Sequence, residues 1–193
     1  LPRMVELQDE PIADTVCVPV YYLAKLARDN GVTVCQVGEG ADELFCGYST
    51  WEISLKRQSL LSSFIPRSVA GLGTCVLSMA GRSDSAYYEW GRRHASGQPQ
   101  FWGGAESFFE GPKRDLLSPR LRKKFNGFTS WEALRPIHKR FEEKAQDKSS
   151  LTWMTYLDLN LRLPELLLMW VDKMCMGSGL EARVPFLDHK LVN

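Results

Sequence analysis

Apolar positions recur at helical spacing along most of this chain, with one extended run near its start. Before that run, one predicted helical face holds four apolar residues, Val20, Leu23, Ala24 and Ala27. Pro19 suits the first turn of such a helix, and Asn30-Gly31 suits its end. The run 32–37 is rich in β-branched residues and predicts a strand. A helix that leads to a strand through one glycine turn indicates part of a parallel α/β layer.

The rest of the chain is predicted to be almost entirely helical. The pattern predicts helices over residues 51–62, 69–79, 131–144, 152–161 and 166–176. Pro66 can open the second of these, and Pro164 separates the last two. The sequence AGRSDS over residues 80–85 superficially resembles a pyrophosphate-binding S-G-G-x-D-S loop, but Arg82 replaces the second glycine. We interpret it as a helix end followed by an Asp/Ser cap.

Residues 95–120 are the least regular part of the chain. They contain glycines and four exposed-looking aromatic residues, Phe101, Trp102, Phe108 and Phe109. A mobile loop or a partner contact would account for them, but ordinary loop packing is favoured. An overlapping basic cluster consists of Lys113, Arg114, Arg120, Arg122, Lys123 and Lys124. Its default interpretation is a solvated helix face, with a binding patch as the alternative.

The predicted strand ends in an acidic turn, with the sequence VGEGADE over residues 37–43. Gly38 and Gly40 can take a positive φ or approach a ligand closely. The carboxylates of Glu39, Asp42 and Glu43 repel one another, so a metal ion, a lysine or another cation is expected beside them. The structural alternative is that acids in a first helical turn complement the helix dipole. A dinucleotide fingerprint would need a glycine at position 43, and no Walker A sequence follows.

Composition narrows the class of protein. The 193 residues are 44% hydrophobic and 24% charged, which is ordinary for a soluble domain with its own core. A formal net charge of +1 argues against a nucleic-acid binder, and no apolar run approaches the ~20 residues of a membrane span. Five scattered cysteines without a CxxC motif disfavour a zinc ribbon or a disulfide framework. They suit a reducing, cytoplasmic location.

A second cluster lies over residues 171–189, with the sequence VDKMCMGSGLEARVPFLDH. Lys173 sits among Met, Leu and Trp residues, where burial of an ammonium group is costly unless it meets an anion. The acidic turn or a bound phosphate would supply that anion, and local pairing with Asp172 or Glu181 is the structural alternative. The hypothesis is that Lys173 and the acidic turn around Glu39 lie together at one site.

Together, the motifs VGEGADELFCGY and DKMCMGSGLEARVPFLDH resemble the synthetase domain of the glutamine-dependent asparagine synthetase family. The lead-in DEPIADT…PVYYLAKLAR is also similar, whereas residues 50–150 match only in helical character. The resemblance implies an α/β fold of the adenine-nucleotide α-hydrolase (PP-loop ATP pyrophosphatase) type. Truncation would leave it mostly α-helical with a small parallel strand layer. Residues 1–193 would be a single partial domain that lacks the pyrophosphate-binding loop and the preceding glutaminase domain.

The resemblance also implies a reaction. A glutaminase domain on the same chain releases ammonia, and the synthetase domain adenylates a carboxylate, usually aspartate, with ATP and Mg²⁺. Ammonia then attacks the acyl-adenylate, which gives the amide (asparagine), AMP and pyrophosphate. No nucleic acid or membrane is expected as a partner. The protein could form a homodimer.

Roles for individual residues carry over where the motifs match. Glu39 corresponds to the acid that takes a proton from attacking ammonia, and Lys173 corresponds to the basic residue near the phosphates and the developing charge. These two are the predicted catalytic residues. The other matching residues are Gly38 and Gly40 against the nucleotide, Asp42 and Glu43 beside pyrophosphate, Asp42 as the Mg²⁺ ligand, and Glu181 and Arg183 as residues that organise the site.

Two departures from the family pattern shape the expectation. Val37 stands where the family usually has Ser or Thr, and the S-G-G-x-D-S loop is absent. This chain by itself is therefore expected not to bind Mg-ATP tightly or to turn over. Alternatives are the same chemistry on another carboxylate, as in cell-surface sugar or peptide amidation, and a non-catalytic helical interaction module. Closure of a β-lactam is disfavoured because Glu39 and Lys173 both fit amidation.

Overall fold

The chain folds mainly into helices, with two short strands. The computed structural model describes residues 2–12 and 14–192. In chain order its elements are α1 (Pro2–Leu7), α2 (Cys17–Asp29), β1 (Val34–Gln36), α3 (Ala41–Phe45), α4 (Ser49–Phe64), α5 (Arg67–Met79), α6 (Ala86–Ala95), α7 (Glu110–Leu116), α8 (Pro119–Lys124), α9 (Trp131–Lys144), α10 (Ser150–Asn160), a π-helix (Leu163–Leu168), α11 (Met169–Met176), β2 (Glu181–Arg183), a 3₁₀ turn (Pro185–Leu187) and α12 (His189–Val192). The predicted mostly helical fold with a small parallel strand layer is confirmed at this level.

Contacts divide the chain into two compact units. The strand unit comprises Leu1–Gly47 and Leu159–Asn193, and the helical unit comprises Tyr48–Asp158. Compact units of this size can belong to one domain or to two. The expectation of a single partial synthetase domain therefore stays a prediction.

The strand unit is organised around a two-stranded parallel sheet. β1 pairs with β2 in the register Val34 to Glu181, Cys35 to Ala182 and Gln36 to Arg183. Parallel strands need a long crossover between them, and here about 140 residues of chain separate the two partners. The core beside the sheet consists of Met4, Cys17, Ala24, Leu163, Leu167, Trp170, Val171, Met174, Cys175 and Leu180. The sheet therefore joins the two motifs that the sequence places far apart.

Helix α2 starts two residues earlier than Pro19 suggests, at Cys17. Pro19 is tolerated there because the first turn of a helix leaves its N–H groups unbonded. The helix ends as predicted, with Asn30 as C-cap and Gly31 at φ +83°. One residue of the predicted apolar face is wrong, because Leu23 is 62% exposed.

The predicted strand 32–37 is shorter than expected. Regular pairing covers residues 34–36, because β2 offers a ladder of only three residues. Val32 and Val34 are 40% and 38% exposed. The β-branched run 32–37 thus has strand propensity along its whole length, but only three of its residues pair with another strand.

The helical unit contains α4–α9 and most of α10, and it confirms most of the predicted helices. The predicted bounds 131–144 coincide with α9, and Pro66 caps α5. At the end of the AGRSDS segment, the Ser85 side chain accepts from Tyr88 N, which makes it the N-cap of α6. The interpretation of this segment as a helix end followed by a cap is therefore confirmed.

Part of the irregular segment 95–120 is buried in the core of the helical unit. Phe101 and Trp102 are 8% and 6% exposed, so their predicted exposure is wrong. Trp102 stacks on Trp131 with ring centroids 5.6 Å apart, and Trp153 Nε1 donates to Phe101 O at 3.0 Å. Phe108 is exposed as predicted. Ordinary packing thus accounts for the two buried aromatic residues.

A buried ion-pair network lies beside Trp102. Arg93 and Glu89 are both 1% exposed, and Arg93 Nε donates to Glu89 Oε1 at 2.7 Å. The Arg93 guanidinium also donates to Gln100 O at 2.8 Å, bonds Glu106 and lies over the Trp102 ring. Each nitrogen of this guanidinium thus has a hydrogen-bond acceptor, as a buried charge requires.

Pro164 does not break the helical path where the sequence predicts a break. It lies in the first turn of the π-helix Leu163–Leu168, which runs directly into α11. A missing N–H costs little in a first turn, so proline is accommodated. Single turns of π-helix recur at functional sites in proteins.

No single helix in the described part of the chain is both long and apolar enough to cross a membrane. One sharply bent pair, Ala41–Phe64 with Arg67–Met79, meets that test of length and composition when its two helices are taken together.

Candidate active site

The acidic turn begins where β1 ends. Val37 N donates to Arg183 O at 2.9 Å, which extends the parallel ladder one residue beyond the strand. The chain turns through residues 38–40 and enters α3 at once. Gly40 has φ +91°, and a side chain at this position would overlap Leu187. Glycine is therefore required here both by the backbone conformation and by the packing of the second motif.

Glu39 lies at the centre of a group of charges. Burial raises the pKa of its carboxyl above the ordinary value, and the nearby carboxylates of Glu43 and Asp42 raise it further. The Arg162 guanidinium opposes them and lowers this pKa, while Asp14 adds a smaller increase. Glu39 is therefore a carboxylate that accepts a proton more readily than an exposed glutamate would.

Asp42 and Glu43 occupy different environments, although they are neighbours in α3. The Asp42 carboxylate lies against Gly47, where a side chain would overlap it, and Gly47 N donates to Asp42 O at 3.0 Å. Glu43 is 1% exposed. A carboxylate buried to that degree has little surface for a ligand, so its position favours support of the turn from inside. Asp42 is the more accessible acid of the pair.

The second motif supports the acidic turn. Arg183 is paired through its main chain with β1, and its Nε donates to Glu181 Oε1 at 2.8 Å. Beyond β2, the Phe186 ring meets the Phe45 ring edge-on at 6.2 Å, and Leu187 fills the space at the turn glycine. This arrangement agrees with the organising role predicted for Glu181 and Arg183, which stays a prediction.

Lys173 has an ion-pair partner that the sequence analysis did not foresee. Its Nζ lies 2.8 Å from Asp9 Oδ2, and this hydrogen bond, with a smaller contribution from Asp172, raises the pKa of the lysine. Helix α11 carries Lys173 and packs against α2 and β2. The lysine therefore belongs to the strand unit, as the hypothesis requires. Its convergence with Glu39 at a phosphate stays a prediction.

Comparison with known proteins decides what this arrangement belongs to. A model of the family described as asparagine synthase matches residues 1–193. The chain belongs to the asparagine synthase family. It is 34% identical to asparagine synthetase [glutamine-hydrolyzing] 1 of Bacillus subtilis over 97% of its length. It is 33% identical, over 99% of its length, to putative asparagine synthetases [glutamine-hydrolyzing] of Mycobacterium bovis and Mycobacterium tuberculosis.

The chain spans 28% of the length of each of these relatives. No solved structure was found to match it. The predicted resemblance to the asparagine synthase family is thus confirmed from sequence comparison.

A metal site of this asparagine synthase chain was predicted at Asp42. Within residues 2–12 and 14–192, no group of three or more His, Cys, Asp or Glu side chains could hold a metal ion. Mg²⁺ usually keeps several waters and binds through one or two carboxylates plus substrate phosphates, so it does not need such a group. Burial raises the pKa of Glu39 most, and the neighbouring carboxylates of Glu43 and Asp42 raise it further. Asp42 as a Mg²⁺ ligand stays a prediction.

Three residues at the site escaped sequence reasoning. Arg162 precedes the π-helix and acts on Glu39 from outside both motifs. Asp9 lies in the acidic loop before α2 and pairs with Lys173. Leu187 packs on the turn glycine. The acids of the lead-in DEPIADT, which begins at Asp9, were a visible signal in the sequence. Nothing local marks Arg162, because only the fold brings it near the turn.

Proposed function

We propose that this chain is part of an ATP-dependent amidating synthetase. The reaction is adenylation of the side-chain carboxylate of aspartate, followed by transfer of glutamine-derived ammonia to give asparagine, AMP and pyrophosphate. The observation that carries the proposal is the parallel pairing of β1 with β2, which joins the acidic turn to the second family motif. The relatives are named glutamine-hydrolysing asparagine synthetases, which supports asparagine as the product and glutamine as the ammonia source.

The fold proposed for the whole domain is an α/β fold of the adenine-nucleotide α-hydrolase type. In open α/β sheets, ligands bind beyond the carboxyl ends of the strands. The acidic turn follows the carboxyl end of β1, and Val184–Leu187 follow that of β2. Both segments therefore lie where a nucleotide would be expected in such a fold.

Glu39 is proposed to act in the second half of the reaction. Ammonia attacks the acyl carbon, the resulting tetrahedral centre loses a proton, and the bond to AMP then breaks. A carboxylate whose pKa is raised by burial and by Glu43 and Asp42 is suited to take that proton. The Arg162 guanidinium lowers this pKa, which favours the ionised carboxylate that the proton transfer requires.

Lys173 is proposed to act in the first half. A carboxylate oxygen of aspartate attacks the α-phosphorus of ATP, and pyrophosphate leaves. The positive charge of Lys173, whose pKa is raised by its hydrogen bond to Asp9, stabilises negative charge that develops on the phosphates. Asp42 would be the protein ligand of the Mg²⁺ that accompanies ATP, and that ion would supply further positive charge to the leaving pyrophosphate.

The turn itself is proposed to contact the nucleotide. A Cβ at Gly38 would meet nothing within 4 Å, so this stretch of backbone is open on one side. Gly40 closes the other side against Leu187. Gly38, with Gly40 as its support, thus offers main-chain groups to a phosphate without a side chain in the way.

The test separates the two half-reactions in the intact protein. Glu39→Gln should retain aspartate-dependent exchange of pyrophosphate into ATP but lose asparagine formation by about 10²-fold or more. Lys173→Ala should reduce pyrophosphate exchange itself. Equal loss of both activities in Glu39→Gln would remove its assigned role. Pyrophosphate release with other carboxylic acids, and none with aspartate, would move the proposal to a different substrate.

A further inference from the structure

A cavity in the helical unit has no part in the proposed reaction. It lies among the α5–α6 loop, α6, α7 and the α8–α9 loop, and its volume is about 530 Å³. Small-molecule sites in proteins usually have volumes of about 300–1,000 Å³. The cavity is therefore large enough for a metabolite rather than for a single ion.

Positive charge dominates the lining of this cavity. Arg92, Lys113, Arg114 and Arg122 face it together with one carboxylate, that of Glu110. Over residues 110–128 the chain has six basic and two acidic side chains, whereas its overall net charge is only +1. The charge of the chain is therefore concentrated here, and such concentration attracts anions.

Three of the four cations already have protein partners. Arg92 forms two bonds to Glu89, and Lys113 lies 2.6 Å from Glu110. Arg122 donates to two main-chain carbonyl oxygens at 2.9 and 3.1 Å. Arg114 makes no side-chain hydrogen bond or ion pair in the described part of the chain. Its planar guanidinium is therefore available to bind a carboxylate or a phosphate with two parallel hydrogen bonds.

The other wall of the cavity is aromatic. Tyr88, Phe125 and Phe128 line it, and the two phenylalanine rings lie 6.1 Å apart. Phe125 is 44% exposed and Phe128 is 60% exposed, so both rings offer surface to a ligand. Planar molecules gain from stacking or edge contacts with such rings.

The cavity is held open by specific packing. A side chain at Gly111 would overlap Ser83 O, so α7 begins in close contact with the α5–α6 loop. Glu110 Oε1 accepts from Ser130 N at 3.0 Å, and Lys113 Nζ bonds the Ser130 hydroxyl. These bonds join α7 to the segment before α9. The site is thus formed before any ligand arrives, which lowers the entropic cost of binding.

We propose that this cavity binds a small organic anion that carries a carboxylate or phosphate ester on a planar apolar body. The anionic group meets the guanidinium of Arg114, and the planar body lies against Phe125 and Phe128. This assignment splits the basic cluster by function. Lys113, Arg114 and Arg122 line the cavity, whereas Arg120, Lys123 and Lys124 lie outside it and form a solvated face.

The test is a ligand-observed NMR titration of the intact protein with phenyl phosphate, benzoate, inorganic phosphate and benzyl alcohol. Phenyl phosphate or benzoate should bind with a dissociation constant of about 1–10 mM, as expected for so small a ligand. Inorganic phosphate and the neutral alcohol should bind more weakly, because each lacks one of the two recognised parts.

Two exposed arginines of the same cluster provide a matched pair of variants. Arg114→Ala should weaken binding about tenfold, whereas Arg120→Ala should change it less than about twofold. Phe128→Ala should weaken phenyl phosphate but not inorganic phosphate. Glu39→Gln should leave binding unchanged, so failure of the proposed reaction and failure of this site are distinguishable.

Several results would overturn the proposal. One is the absence of saturable binding by both organic anions. A second is equal weakening by the two arginine variants, which would indicate a diffuse electrostatic surface. Binding of an acidic peptide without binding of either small anion would assign this surface to a protein partner instead.

Discussion

Replacement of Gly40 by alanine tests how the acidic turn is held against the second motif. Gly40 has φ +91°, and its missing side chain leaves the space that Leu187 occupies. A left-handed conformation costs a non-glycine residue about 1–2 kcal/mol. Overlap with a packed side chain costs about 1–3 kcal/mol, and the low end applies because Leu187 is only half-buried and can shift.

One effect opposes these two costs. Alanine restricts the unfolded chain more than glycine does, which stabilises the fold by about 0.4–1 kcal/mol. The expected net loss for Gly40→Ala is therefore about 1–2.5 kcal/mol of unfolding free energy. Because domains are stable by only about 5–15 kcal/mol, this loss is large enough to measure reliably.

Gly38→Ala is the matched control, only two residues away. Gly38 has no positive φ, and a Cβ there would meet nothing within 4 Å. Its unfolding free energy should stay within about 0.5 kcal/mol of the wild type or rise slightly. If the proposed nucleotide contact is correct, the same variant should reduce pyrophosphate exchange. The control thus separates stability from ligand approach.

The assay is urea unfolding followed by circular dichroism, with all variants fitted to a common slope. A double-mutant cycle with Leu187→Ala divides the cost into its two parts. The overlap should appear as a coupling energy of about 1 kcal/mol, and the conformational cost should persist. A Gly40→Ala variant as stable as Gly38→Ala would refute this reasoning. It would mean that neither the positive φ nor the contact with Leu187 constrains the turn.

Three further predictions follow from buried groups. Arg93→Leu should cost about 1.5–3 kcal/mol in urea unfolding, because it removes one of the two arginines that bond the buried Glu89 carboxylate and leaves Arg92 as the other. Lys56→Leu, which breaks an exposed pair, should cost less than about 1 kcal/mol, and similar costs for the two variants would contradict the buried network. Folding raises the pKa of Glu39, so its ionised form opposes folding increasingly as pH rises through that pKa. Glu39→Gln should therefore raise the unfolding free energy above that of the wild type by more at pH 7 than at pH 4. A difference between variant and wild type that is the same at both pH values would argue against this. Burial, with smaller contributions from neighbouring groups, raises the pKa of Cys175 to about 11, so iodoacetamide at pH 8 should alkylate the exposed Cys46 long before Cys175, as peptide mass spectrometry would show.

The accuracy of the sequence-based predictions differs between helix ends and helix faces. Asn30-Gly31 and Ser85 were correct as helix boundaries, because capping depends on residues within one turn of the end. Leu23 was placed on the wrong face, and Trp102 was predicted to be exposed although it is buried. Burial depends on which element packs against a residue, and local sequence does not contain that information.

The acidic turn shows the same division within one site. Its glycines and acids were recognised from sequence, because their spacing after a β-rich run is local. The raised pKa of Glu39 also depends on Arg162 and Asp14, and the ion pair of Lys173 depends on Asp9. These partners come from distant segments. Pairing of Lys173 with Asp172 or Glu181 was the local alternative, and neither is the partner that lies 2.8 Å from its Nζ.

By itself, the sequence determined the mostly helical character, the strand–turn–helix around Glu39 and, through its two motifs, membership of the asparagine synthase family. Periodicity, capping and motif spacing are properties of neighbouring residues, so they can be recognised without a structure. Only the tertiary structure decided that β1 pairs with β2, that Leu187 fills the space at Gly40, and that Arg114 faces a cavity without a partner in the described part of the chain. Each of these depends on contacts between segments far apart in the chain, which form only when the whole unit packs.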